Sequence, residues 1–168
     1  VLDLRKFSHA ETGQVGPVEI SEVIHSALRF LSGEWKDKVR IENNLPDHLV
    51  VFGSQNRLLQ VFINLLQNAI DALKEKTFAS DEQPTIWIGG EADESKTVIT
   101  IRDNGNGIGA ANLGKIFDPF FTTKEVGEGM GLGLSICYQI LQENGGKISA
   151  TSQPGEFAEF SLEFPAKR

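Results

Sequence analysis

The sequence predicts an α+β fold, a two-layer α/β sandwich in which a mixed, mostly antiparallel sheet of about five strands packs on about three helices. Three observations lead to this prediction. The chain has 168 residues, a length that suits one domain with a proper core. Segments with helical periodicity occur together with short segments of strand periodicity, most of which suit antiparallel pairing. One long helical segment, from Gln55, has a wide apolar face that must be buried.

The first half of the chain is predicted to contain two of the helices and two short strands. Ser21 is a good N-cap residue, and apolar residues recur at helical spacing after it. The Asn-Asn-Leu-Pro sequence is a turn signal between the two strands. The predicted elements are, in order, a helix end at 2–7, a linker at 10–17, a helix at 21–31, strands at 39–41 and 49–52, and a long helix capped by Gly53-Ser54 that runs to about residue 76.

The second half is predicted to supply most of the sheet. Residues 85–90 and 96–102 read as an antiparallel pair of strands after a polar loop at 80–84. Asn144-Gly145-Gly146 is a strong stop signal for the helix before it. The remaining predicted elements are a short helix at 111–116, an irregular glycine-rich stretch from 117 to about 129, a helix from about 131 to 143, and closing strands at 147–151 and 159–164.

Composition and charge exclude several classes of function. The net charge of −7 argues against a general nucleic-acid or membrane-surface binder, because both need an excess of Lys and Arg. No run approaches the ~20 apolar residues of a transmembrane helix, and no signal peptide is visible. The single cysteine, Cys137, lies in an apolar helical pattern, which fits a buried small hydrophobe and a cytoplasmic location. The chain begins at Val1, so we expect a fragment of a longer protein that can carry a membrane anchor upstream.

The long helix carries an unusual polar stripe. Gln60, Asn64, Asn68 and Asp71 are spaced by four, four and three residues, so they share one side of the helix. A solvated face normally uses Lys, Glu and Arg, although the helix alone still favours that plain interpretation. The alternative is that the stripe faces a site inside the protein, where an amide oxygen could bind Mg²⁺. That ion commonly takes few protein ligands.

Residues 98–109 read VITIRDNGNGIG, a strand followed by one carboxylate and three alternating glycines. Asn104-Gly105 alone would predict a tight hairpin turn. The alternative is that the glycines at 105, 107 and 109 leave the backbone uncovered by side chains, so that a ligand can lie against it.

A second glycine-rich stretch, from Phe117, reads FDPFFTTKEVGEGMGLGLSI. Alternating glycines before a helix expose backbone N–H groups that can hold phosphate, and Lys124 adds a cation. The aromatic residues Phe117, Phe120 and Phe121 suit the anchors of a hinged lid, whereas a floppy loop is the plain alternative. The spacing matches neither a P-loop nor a dinucleotide-binding fingerprint, and residues 103–107 do not match an EF-hand.

Four motifs in a fixed order resemble the ATP-binding catalytic domain of bacterial sensor histidine kinases, a member of the GHKL (Bergerat-fold) ATPases and kinases. The resemblance covers roughly residues 18–165. It rests on Asn64-Leu-Leu-Gln-Asn68-Ala-Ile-Asp71 (N box), Asp103-Asn-Gly105-Asn-Gly107 (first glycine box), Phe117-Asp-Pro-Phe120-Phe-Thr-Thr-Lys124 (F box) and Gly129-Met-Gly131-Leu-Gly133-Leu (second glycine box). The closing segment from Gly155 to Phe160, GEFAEF, departs from the family's Gly-x-Gly-Thr-x-Phe.

The resemblance implies a Mg·ATP site and a role for each motif. Asp103 would accept a hydrogen bond from the adenine amino group, with Ile108 packing on the ring, and Asn68 would be the Mg²⁺ ligand. The resemblance names Asn64, Asn68 and Lys124 as catalytic. The full nucleotide-binding set that it implies is Asn64, Asn68, Asp71, Asp103, Gly105, Gly107, Ile108, Phe120, Thr123, Lys124, Gly129, Met130, Gly131, Leu132, Gly133 and Leu134.

The amide at Asn64 favours phosphoryl transfer over ATP hydrolysis. The group's ATP-hydrolysing members carry a glutamate at this place, and an amide cannot serve as a general base near neutral pH. The resemblance implies transfer of the γ-phosphoryl group to a histidine on a separate dimerisation and phosphoacceptor hairpin, which then serves a response regulator. A non-catalytic nucleotide-sensing module and, with less support, a GHKL ATPase remain as alternatives.

The phosphoacceptor histidine is expected to lie outside this chain. His9, His25 and His48 all lack the family's phosphoacceptor context and are expected to be ordinary structural or surface residues. We therefore expect residues 1–17 to be the remnant of the hairpin helix and linker, and residues 18–168 to be the ATP-binding domain. Because the hairpin forms the dimer in the family, this fragment is expected to be a monomer and the full-length protein a homodimer.

Overall fold

The computed structural model describes residues 15–119 and 133–166. These residues form a two-layer sandwich, with a mostly antiparallel five-stranded sheet on one side and helices on the other, which confirms the predicted fold class. The strands are β1 Val15–Glu19, β2 Arg40–Asn43, β3 Val50–Ser54, β4 Thr85–Ala92, β5 Lys96–Asp103, β6 Lys147–Gln153 and β7 Phe157–Pro165. The helices are α1 Ile20–Phe30, α2 Ser32–Trp35, α3 Gln55–Glu75, α4 Ala110–Leu113 and α5 Gly133–Glu143.

The main sheet has the strand order β2-β4-β5-β7-β6. Only the β2–β4 pair is parallel; the other three pairs are antiparallel, including the predicted pairs β4–β5 and β6–β7. Strand β5 lies in the centre, between β4 and β7, and its side chains alternate between the two faces of the sheet. Ile99, Ile101 and Asp103 point to the buried face, so the last residue of the strand is a carboxylate at the edge of the core.

Helices α1, α3 and α5 cover that face, with α3 between the other two. The apolar face of α3 is buried as predicted, and Leu58, Phe62, Leu66 and Ile70 are fully enclosed. Cys137 of α5 is also fully buried, as expected of a small hydrophobe. The polar stripe of α3 runs beside this core rather than through it. Among the described helices, none is both long and apolar enough to cross a bilayer.

A second, two-stranded sheet pairs β1 with β3 in antiparallel register, Val15 opposite Ser54 and Glu19 opposite Val50. The predicted linker over residues 10–17 is therefore wrong for residues 15–17, which are in a strand. The two short strands predicted before the long helix also belong to different sheets, since β2 pairs with β4 and β3 pairs with β1.

The two predicted N-caps have different outcomes. Ser54 caps α3 as predicted, because its Oγ accepts the backbone N–H of Arg57 at 3.4 Å. Ser21 does not cap α1: that helix begins one residue earlier, at Ile20, and its N-cap Glu19 makes no side-chain hydrogen bond. The stop signal after α5 is confirmed, with Gly145 at φ +75°.

Candidate functional site

Asp103 is the centre of the candidate site. It lies at the end of β5 and is only 3% exposed, and its Oδ1 accepts the backbone N–H of Gly105 at 2.9 Å. Burial raises the pKa of Asp103 to about 6, although the Gly105 hydrogen bond and the positive charges of Lys76 and Arg102 act in the opposite direction. A carboxylate held this way is an acceptor that has lost most of its water.

Gly105 brings the loop after β5 against helix α3. A Cβ at this position would lie 2.9 Å from Oδ1 of Asp103 and 3.0 Å from both the Cβ and the carbonyl oxygen of Ala72. No side chain fits there without moving the helix backbone. The glycine is therefore required by the close approach of the loop to α3.

Gly107 closes the other side of the loop, against the turn between β6 and β7. Its φ is +74°, and a Cβ would lie 2.7 Å from the carbonyl oxygen of Gln153 and 2.8 Å from that of Phe157. Next to it, the Oγ of Ser152 accepts the backbone N–H of Ile108 at 2.6 Å and donates to the carbonyl of Phe157 at 2.9 Å. Ile108 packs partly buried against the core.

The Asn-Gly sequence in this loop is not a hairpin turn. After β5 the chain continues into α4, and β5 pairs with β4 and β7 instead. The side chain of Asn104 forms the link to the neighbouring strand: its Oδ1 accepts the Thr85 N–H at 2.8 Å and its Nδ2 donates to the Gln83 carbonyl at 3.0 Å. The loop is thus held open as a backbone surface.

Lys76 is a residue that sequence reasoning missed. At the C-cap of α3, its ammonium donates to the carbonyls of Asn104 at 2.9 Å, Gly105 at 3.5 Å and Gly155 at 3.1 Å, and it lies 5.0 Å from the ring centre of Phe78. Nothing in the sequence near Lys76 signals these contacts, because they depend on loops 28 or more residues away. Ser152 was missed for the same reason.

The polar stripe of α3 passes from this loop toward the start of α5. The amide of Asn64 donates to the carbonyl of Gly133 at 3.4 Å and contacts Sγ of Cys137 at 3.9 Å. Gln67 donates to Asp71 at 2.9 Å. Asn68, between them, is partly buried and makes no side-chain hydrogen bond with the described residues, so its amide oxygen is available to a ligand.

Helix α3 therefore connects two ends of one site. Ala72 contacts the Asp103 loop, and Asn64 contacts the first turn of α5, where Gly133 and Leu134 are partly buried. These two positions of α3 are eight residues apart, or about 12 Å along a helix. The site is elongated, with a buried carboxylate at one end and a helix N-terminus at the other.

One predicted lid anchor lies within the described residues. Phe117 packs against Tyr138 and Phe160, with ring centres 5.9 Å and 6.2 Å away, and its role as an anchor of a lid stays a prediction. Seven predicted site residues lie outside the described residues, namely Phe120, Thr123, Lys124, Gly129, Met130, Gly131 and Leu132.

The donor set suits a divalent cation that keeps most of its water. Within residues 15–119 and 133–166, no three His, Cys, Asp or Glu side chains could together hold a metal ion. Mg²⁺ is commonly bound by one or two protein oxygens together with substrate phosphates. The amide oxygen of Asn68, which accepts no hydrogen bond from the described residues, is compatible with that mode of binding.

Comparisons with known proteins show the family to which the chain belongs. Residues 53–168 match the family described as histidine kinase-, DNA gyrase B-, and HSP90-like ATPase. The C4-dicarboxylate transport sensor protein DctB of Rhizobium meliloti is 36% identical over 155 residues, which are 90% of this chain and 24% of that protein. Sporulation kinase C of Bacillus subtilis is 36% identical over 152 residues, 89% of this chain and 33% of that protein. The chain thus spans a third or less of these relatives' lengths.

Solved structures show the same fold. The nucleotide-free catalytic domain of histidine kinase ThkA superposes with a TM-score of 0.76 at 30% identity, covering 92% of this chain and 99% of that one. A mycobacterial sensor histidine kinase, MprB, superposes with a TM-score of 0.75 at 23% identity, covering 90% of this chain and 98% of that one.

Proposed function

Because the chain belongs to the family of histidine kinase-, DNA gyrase B- and HSP90-like ATPases, as the ATP-binding catalytic domain of a sensor histidine kinase, we propose that it binds Mg·ATP and donates the γ-phosphoryl group to a histidine on another domain. The observation that carries the proposal is the elongated site beside α3. One end, which we call the closed end, is formed by the loop after β5 and the β6–β7 turn and holds the buried Asp103. The other end holds the start of α5.

We propose that the closed end binds adenine. An ionised carboxylate only accepts hydrogen bonds, so Asp103 suits the amino group of adenine. Gly105 and Gly107 let the loop pack closely on α3 and on the β6–β7 turn beside Asp103, and Ile108 would offer an apolar surface for the ring. Because Asp103 has a pKa of about 6, it accepts in its charged form at neutral pH.

The other end of the site would hold the triphosphate. The start of α5 would present backbone N–H groups that attract phosphate, and Asn68 would hold Mg²⁺. A bound Mg²⁺ would neutralise phosphate charge during the transfer. The proposal also assigns phosphate contacts to Thr123, Lys124 and residues 129–132.

Asn64 supports transfer rather than hydrolysis. Its amide donates to the carbonyl of Gly133, and an amide cannot deprotonate water near neutral pH. The described part of the site would therefore act by positioning and by charge neutralisation, and the nucleophile would come from outside.

The partners follow from the same proposal. The acceptor would be the family's dimeric phosphoacceptor hairpin, which would then serve a response regulator. Residues 1–17 would connect this hairpin to the ATP-binding domain at 18–168. Neither histidine in the described residues suits the acceptor: His25 lies in α1, His48 lies in the loop before β3, and both lack the family's phosphoacceptor sequence context. We place the domain on the cytoplasmic side of its cell, without contact to nucleic acid or to a membrane.

The substitution Asp103→Asn tests the adenine assignment. It keeps the size of the side chain and an acceptor for the Gly105 N–H, but it removes the charge. We expect Mg²⁺-dependent binding of a fluorescent ATP analogue to the wild type and loss of that binding in D103N. Asp81→Asn, in the exposed loop before β4, is the matched control and should bind normally. Unchanged binding by D103N would refute the adenine assignment.

A second experiment separates phosphoryl transfer from nucleotide sensing. The phosphoacceptor hairpin of the intact protein is supplied in trans with γ-labelled ATP. Label on a hairpin histidine supports the kinase, whereas binding without transfer, at high concentrations of both components, contradicts it. Rapid ATP turnover by the chain alone would contradict the role given to Asn64.

A further inference from the structure

The ammonium of Lys76 occupies a pocket made of backbone. Its three N–H donors match three carbonyl oxygens, two from the loop after β5 (Asn104 and Gly105) and one from the β6–β7 turn (Gly155). The ring of Phe78 lies on another side of it. Lys76 thus joins the end of α3 to both of the loops that form the closed end of the site.

One of these contacts acts on Asp103 through a single peptide unit. The carbonyl of Asn104 and the N–H of Gly105 belong to the same planar group, and they point in opposite directions. Lys76 holds the carbonyl at 2.9 Å, and Asp103 accepts the N–H at 2.9 Å. Fixing the carbonyl therefore fixes the direction from which the N–H meets the carboxylate.

The β6–β7 turn is held in the same way. Gly155 accepts from Lys76 through its carbonyl, and its own N–H donates to the carbonyl of Asn106 at 2.6 Å. This turn begins the closing segment in which the chain departs from the usual family motif. Lys76 provides this segment with an attachment to the glycine loop that does not depend on a side chain of the segment.

We propose that Lys76 is a positioning residue for the nucleotide site, which orients the carboxylate of Asp103 through the Asn104–Gly105 peptide and fixes the β6–β7 turn beside it. The inference rests on the proposed nucleotide-binding function. It assigns to Lys76 no contact with the nucleotide itself. An ordinary surface lysine is represented on the same helix by Lys74, which is exposed and pairs only with the partly exposed Glu34 within the described residues.

A positioning role has a consequence for the pH dependence of binding. The charged groups that act on Asp103 are Lys76, at the end of α3, and Arg102, its neighbour on β5; the residues opposite Asp103 on β4 and β7 are Ile86 and Ala158, which do not titrate. Lys76 lowers the pKa of Asp103, both by its charge and through the hydrogen bond that it orients. Without Lys76, the carboxylate should take up its proton at a higher pH.

The test compares Lys76→Met with Lys74→Met, which removes the same charge from the same helix end. Binding of the fluorescent ATP analogue with Mg²⁺ is measured over a pH range of roughly 5 to 8, which brackets a carboxyl pKa raised by burial. We expect K76M to lose roughly tenfold in affinity, the order of hydrogen bonds to a charged group. The pH midpoint of K76M, the pH at which binding is half of its maximum, should also move upward. K74M should match the wild type in both measurements.

Two further variants separate charge from geometry and from misfolding. Lys76→Arg keeps the charge and should keep the wild-type pH midpoint, whatever affinity its wider head group allows. Lys76→Gln keeps a short donor without the charge and should move the midpoint upward; it replaces K76M if circular dichroism shows that K76M is unfolded.

The outcomes distinguish this inference from the proposed function. No nucleotide binding by the wild type would refute the proposed function. Binding by the wild type with K76M within twofold of it and an unmoved midpoint would refute the role of Lys76 alone, as would equal losses in K76M and K74M.

Discussion

At the scale of single residues, the two glycines nearest the buried carboxylate are required for different reasons. Gly105 has an ordinary φ but no space for a Cβ, because Ala72 of α3 lies against it. Gly107 has both restrictions, a φ of +74° and two backbone carbonyl oxygens within 2.8 Å of the place that a Cβ would take. Their alternation in the sequence does not reveal this difference.

Gly107→Ala should therefore be much more damaging than an alanine elsewhere nearby. The positive φ alone costs an L-residue about 1–3 kcal/mol, and rigid backbone atoms occupy the place of the methyl group. Gly114→Ala is the control, since its φ is −78° and no atom of the described residues lies within 4 Å of an added Cβ. Denaturant unfolding should show a loss of at least about 1 kcal/mol for G107A and no loss for G114A. Equal stabilities would contradict the close packing of Gly107 against the β6–β7 turn.

A sequence pattern can indicate a residue such as Asp103 from its immediate neighbours, but it does not indicate residues whose contacts come from distant parts of the chain. Asp103 stands out because a carboxylate follows an apolar strand and precedes glycines, and it is indeed buried at the strand end. Lys76 and Ser152 carry no comparable signal. Their partners are backbone carbonyls and N–H groups brought to them by the sheet register, which a sequence pattern does not contain.

At the scale of elements, α3 organises both the core and the site. Its apolar face covers the central sheet, while its polar side contacts the glycine loop through Ala72 and Lys76 and the start of α5 through Asn64. The position of α3 along its axis therefore sets the relation between the two ends of the site. Its first turn is fixed by Ser54, whose side chain is 6% exposed.

Ser54→Ala should destabilise the molecule by about 1 kcal/mol, the usual cost of losing a helix N-cap. Ser21→Ala is a matched control, because Ser21 had the same predicted role but is inside α1 and caps nothing. Alanine is the better helix former there, so S21A should be neutral or slightly stabilising. Thermal unfolding of both variants measures the difference; a larger loss in S21A would mean that Ser21 caps α1 after all.

Strand β1 shows why a sequence pattern does not predict every element. Its residues Val15–Glu19 include a glycine and a proline, which usually mark a loop. Among the described strands it pairs only with β3, about 35 residues later in the sequence, and proline is tolerated at such an edge. By contrast, β4 and β5 were predicted well because both their alternation and their turn are local.

At the scale of the whole molecule, the proposed function and stability are in conflict at Asp103. Folding removes this carboxyl from water, and its pKa rises from 3.8 to about 6. Since the pKa is higher in the folded state, the favourable contribution of this group to stability is full below pH 3.8 and is lost as the pH rises through about 6. At neutral pH the protein then keeps a buried charge, which the proposed adenine contact requires.

The variant Asp103→Asn, which tests nucleotide binding, also measures this conflict. At pH 7, D103N should be more stable than the wild type, by at most about 3 kcal/mol for a shift of this size. The advantage should shrink as the pH falls through about 6 and vanish below about 4, where the wild-type carboxyl is also neutral. Urea unfolding of both proteins at several pH values measures this difference in stability, with Asp81→Asn as the control that should follow the wild type throughout.

A D103N variant that loses nucleotide binding while gaining stability at pH 7 would show that the charge is kept for the ligand. Lower stability of D103N at pH 7 would instead mean that the Gly105 hydrogen bond and Lys76 more than offset the cost of burying the charge.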